Sequence, residues 1–79
     1  MININEHRLK ILRSQYPKGC VVELVSMDDK QAPPVGTKGK VLFVDDVGTI
    51  HIKWENGSTL GVVAGIDMVR KIEEEIPSK

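Results

Sequence analysis

Four aspartates stand in two adjacent pairs, Asp28-Asp29 and Asp45-Asp46. Clustered carboxylate oxygens are what hard cations such as calcium or magnesium require. Neither pair has the alternating acid spacing or the twelve-residue loop of a calcium site. Neighbouring acids on an extended chain also point to opposite sides. Acids that cap backbone amides in turns explain both pairs more simply. His7 and His51 are far apart, and neither has zinc spacing to Cys20, the single cysteine. A catalytic cysteine–histidine pair would also need an orienting group and an oxyanion hole. Neither shows in the sequence, so the residues point to no enzyme, no metal and no cofactor.

The bulk composition sets the frame for any site. Seventy-nine residues allow one domain. A chain this short buries only about 60% of its unfolded surface, so a deep enclosed active site is hard to build. Ligands would meet a shallow groove, an edge or a subunit interface. The net charge is zero, which argues against a dedicated nucleic-acid binder. The charges are unevenly spread, however. Met1 to Cys20 carries Arg8, Lys10, Arg13 and Lys18 against Glu6, whereas Val21 to Val69 carries four lysines against seven acids. One cysteine excludes an intrachain disulfide. No apolar run is long enough to span a membrane, and the opening MININEHRLK lacks the apolar region of a signal peptide. A cytoplasmic location is the expectation.

The elements that would position these residues follow from periodicity. Asn5 can cap a helix in which Leu9, Leu12 and Tyr16 recur at helical spacing. Pro17 and Gly19 end it. Its apolar side is expected to lie against the rest of the chain or against a second copy. From Cys20 the period becomes two. CVVELV, KGKVLFVDD, GTIHIKWE and STLGVV read as four strands, and IDMVRKI as a turn and a short fifth. In WENGST, a three-residue loop over Glu55-Asn56-Gly57 would pair Trp54 with Ser58. It would also bring Ile52 beside Leu60 and Ile50 beside Val62. That register gathers the apolar residues on one face, so a type I turn with Gly57 in a G1 bulge is predicted.

Five short strands at close spacing suggest a small barrel. The expected fold is mainly β: an SH3-like barrel of about five antiparallel strands at 17–72, an N-terminal α-helix at 1–16 and a charged flexible tail at 73–79. The strings VELVSMDD, APPVGTKGKV, VDDVGTIHIKWENGS and GIDMVRKI, within Pro17 to Ile72, resemble DUF4314. That resemblance implies a small bacterial or phage domain with no assigned activity. A looser likeness to SH3-like and Tudor-like barrels rests on GTKGKV and IKWENGS.

Two binding surfaces are expected. The first is a protein-interaction surface at one end of the barrel. It would combine the loop Ser26 to Gly39 (Met27, Asp28, Asp29, Pro33 and Pro34), the Asp45-Asp46 turn and a half-buried Trp54. The alternative is a nucleic-acid face on the basic leader, from Arg8, Lys10, Arg13 and Lys18, with Lys38 and Lys40 adjoining. A homodimer through the helix is a third expectation. Aromatics are few, and Phe43 is expected in the core. Stacking of single-stranded bases therefore has little to work with. His51 is expected on the outer face of its strand.

Overall fold

The computed structural model describes residues 5–72, and the expected 73–79 tail lies outside them. The helix α1 spans Glu6–Gln15, and the Asn5 side chain caps it by accepting from the Arg8 N–H at 2.8 Å. Leu12 is buried, and Leu9 and Tyr16 pack beside it on the core. The apolar stripe thus faces the sheet of its own chain. Five antiparallel strands follow: β1 Val21–Ser26, β2 Lys38–Val44, β3 Thr49–Trp54, β4 Val62–Val63 and β5 Met68–Ile72. They form one sheet in the order β4-β3-β2-β1-β5. The expected mainly β class with an N-terminal helix is the fold. An isolated bridge between Ala64 and Asp67 lies within the short turn from β4 to β5. No helix among the described residues is long and apolar enough to cross a membrane.

Period-two patterning builds the core. Val22 and Leu24 of β1, Val41 and Val44 of β2, Ile50, Ile52 and Trp54 of β3, and Val62 of β4 all point inward. Each contributes about 1.5–3 kcal/mol of apolar burial. The β3–β4 hairpin has the predicted register. Trp54 N–H donates to the Ser58 carbonyl at 2.8 Å, Ile50 pairs with Val62, and Gly57 is left-handed at φ 92°. The fourth strand itself is shorter than STLGVV, because only Val62 and Val63 hold ladder pairing.

Two core expectations are corrected. Trp54 is not half-buried at the barrel end; it is 1% exposed. Its Cα partner across the ladder is Gly39, which leaves room for the indole, and its Nε1–H donates to the Leu60 carbonyl at 2.9 Å. Phe43 is not in the core; it is 53% exposed. A β-bulge is responsible. Val41 pairs with Ile52 and Phe43 with His51, so Leu42 is an extra residue and the alternation slips by one.

Candidate functional site

The two parts of the expected interaction surface do not meet. Gly39 pairs with Trp54 at one end of the β2–β3 ladder, and Val44 pairs with Ile50 at the other. The loop from Ser26 enters the first end through Lys38. The Asp45-Asp46 turn closes the second. With Trp54 enclosed as well, the single end surface falls apart. Within the loop, Met27 is half-buried and packs on the core, whereas Asp28, Asp29 and Pro34 are exposed. Pro33 is buried. Asp29 is a turn acid: its carboxylate accepts from the Gln31 N–H at 2.8 Å. Pro34 offers its carbonyl to the Thr37 N–H and hydroxyl. Asp29, Pro34 and Thr37 thus spend these polar groups on holding the loop itself.

The basic leader is also divided. Arg8, Lys10 and Lys18 are exposed. Arg13 is engaged: its guanidinium donates to the Val44 carbonyl and to Asp46 Oδ1 at 2.9 Å. It fastens α1 to the β2–β3 turn. Because α1 covers the buried side of the sheet, Lys38 and Lys40 on the outer side do not adjoin it.

The outer face, where His51 stands as expected, carries three rows of side chains. The first row alternates in charge. Arg70 is the Cα partner of Glu23, and Glu23 that of Lys38. Arg70 donates to Glu23 Oε1 at 2.7 Å, and Glu55 follows, its N–H on the Lys38 carbonyl. The second row is Ile72, Val21, Lys40 and Lys53, in cross-strand register. Lys40 and Lys53 are both exposed, directly opposite one another, and neither has an ion pair among the described residues. The third row is Phe43 beside His51. Their rings stack with centroids 4.3 Å apart and planes 10° from parallel. An open groove of about 530 Å³ runs along this face, lined by Val21, Lys38, Lys40, Lys53 and Glu55 among others.

Asp45 holds the aromatic row. Its Oδ1 accepts from the Val47 and Thr49 N–H groups at 3.1 and 2.9 Å, and its Oδ2 is 2.8 Å from His51 Nε2. A carboxylate that orients an imidazole is part of a hydrolytic triad. The described side-chain hydrogen bonds of His51 go to Asp45 alone, and none of them joins it to a hydroxyl or thiol. Burial raises the Cys20 thiol above its ordinary value, and the nearby Lys71 charge opposes this in part. Such a thiol is a poorer nucleophile at neutral pH. Among the described residues, no three His, Cys, Asp or Glu side chains gather as metal ligands would.

A second groove lies between α1 and the β4–β5 turn, where Ile66 and Met68 are 70% and 58% exposed. The sequence held one usable sign of the lysine row. Lys40 and Lys53 each alternate with inward residues, so both face outward in any register. Only the strand pairing makes them neighbours. The family model for DUF4314, a domain of unknown function, matches residues 5–72. No curated protein and no solved structure matches the chain.

Proposed function

We propose that this chain, which belongs to the DUF4314 family, is a non-catalytic binding module that takes an anionic partner on the outer face of β2 and β3. One observation carries this reading: Lys40 stands directly opposite Lys53, and among the described residues neither is in an ion pair. Like charges directly opposite on a sheet are destabilising. The adjoining row shows the alternative, since Arg70, Glu23, Lys38 and Glu55 alternate in sign. A partner that brings negative charge to Lys40 and Lys53 would relieve their repulsion. The test is an amide NMR titration of the full chain with inorganic polyphosphate. Shifts are expected at Lys38 to Phe43 and at His51 to Lys53. Shifts confined to α1, or none at millimolar phosphate, would overturn the reading.

A protein-interaction role is the second reading. It is favoured by the groove between α1 and the β4–β5 turn, where the exposed Ile66 and Met68 offer apolar anchors. On either reading the module is bacterial or phage in origin and works in the cytoplasm. The single unstapled cysteine and the family resemblance support that placement.

A further inference from the structure

We infer that the anionic partner of the outer face is a single-stranded nucleic acid, with a base stacked at Phe43 and phosphates at Lys40 and Lys53. This rests on the proposed function and names the chemistry of its ligand. An acidic peptide or polyphosphate would satisfy the lysines alone. Only a single-stranded nucleic acid also carries flat, unpaired rings in every repeat of its anionic chain.

The geometry places both recognitions together. Phe43 and His51 form one cross-strand pair, and Lys53 lies two residues along β3 from His51, about 7 Å away on the same face. The bulge at Leu42 is what turns Phe43 outward, and bulges recur where a sheet must re-aim a side chain. An aromatic ring left 53% exposed on a small domain loses the apolar burial it could have had in the core. Its orientation is nonetheless well held. His51 stacks on the ring, and Asp45 holds His51 in turn. A stacking platform that is already rigid loses little freedom when a base arrives. The two acids of the β2–β3 turn are both engaged, Asp45 by His51 and the turn amides, and Asp46 by Arg13.

Anisotropy titrations of the full chain against a fluorescein-labelled fifteen-residue oligo-dT, its duplex with oligo-dA, and labelled poly-glutamate of similar length would test this. The single strand is expected to bind most tightly. Phe43→Ala should weaken it about tenfold, within the range for loss of one stacked base, and Phe43→Tyr should restore it. Lys40→Gln with Lys53→Gln should flatten the salt dependence by a slope of about 1.4, or 0.7 for each phosphate released. The amide spectrum of each variant checks that the fold is intact. Binding of poly-glutamate equal to oligo-dT, unchanged by Phe43→Ala, would overturn the nucleic-acid assignment and leave the anion-binding module standing. Preference for the duplex would overturn the stacking geometry. Failure of all three probes would overturn both readings.

Discussion

Asp45 holds the β2–β3 turn through the N–H groups of Val47 and Thr49, and it holds the outer face through His51. Burial alone would raise its carboxyl. The hydrogen bond with His51, the two backbone donors and the His51 charge outweigh burial and keep the carboxyl below its ordinary value. A carboxyl lowered in the folded state binds its proton more weakly there than in the unfolded chain. Its contribution is therefore complete above the unfolded value of about 3.9, and it is lost as pH falls through the folded value. Urea midpoints measured from pH 6 down to pH 2 should show this loss in the native chain. Asp45→Asn should lack that part of the acid limb. Above pH 5 it should be less stable by about 1 kcal/mol, because a neutral amide accepts from the turn amides more weakly. Identical acid limbs in the two proteins would mean that the turn does not depend on the carboxylate.

At the scale of elements, the β2–β3 ladder is held by a close approach at Gly39. A Cβ there would lie 2.6 Å from Ile52 Cγ2, 2.9 Å from the Lys53 carbonyl oxygen and 2.9 Å from Trp54 Cε3. The side chains can shift, but the ladder fixes the carbonyl. Gly39→Ala should cost about 1–3 kcal/mol, a melting point lower by several degrees. Gly57 makes a contrast. Nothing lies near its missing Cβ, yet its φ is +92°. Gly57→Ala should be destabilising through backbone strain alone, and Gly57→Asn should recover part of the loss. If calorimetry found Gly39→Ala neutral, the ladder would be looser than its geometry implies. These two glycines also mark what could be read in advance. The Asn56-Gly57 turn was legible because only one register puts Ile50, Ile52, Leu60 and Val62 on a common side. Parity with Ile50 and Ile52 turns Trp54 inward but does not say how deep it lies, because the space that encloses it belongs to Gly39 on another strand. Phe43 was misplaced because a bulge leaves no mark on alternation until the partner strand is known. The outer lysine row was missed for a related reason: each lysine reads as an ordinary solvated residue until the pairing sets them side by side.

For the molecule as a whole, the question is whether α1 belongs to the same cooperative unit as the sheet. Leu12 is its one buried residue, joined to the core beside Leu9 and Tyr16. Arg13 adds contacts to Val44 and Asp46, but its ion pair is solvent-exposed, and such pairs add little. The attachment therefore rests on Leu12. A ten-residue helix is too short to persist alone in water. If it forms, it forms because the core receives Leu12, and the core in turn gains that side chain. Small single domains of this kind unfold in one step. Two probes separate the parts: helical circular dichroism reports α1, and the fluorescence of Trp54, the only tryptophan, reports the sheet. The urea transitions by the two probes should coincide in the native chain. Leu12→Ala should move both together by about 2–5 kcal/mol, the usual cost of emptying a buried leucine site. A variant whose helical signal melts early while the Trp54 transition stays in place would show that the sheet stands without its helix. The outer face of β2 and β3 would then be a self-sufficient binding surface, with α1 an appendage to it.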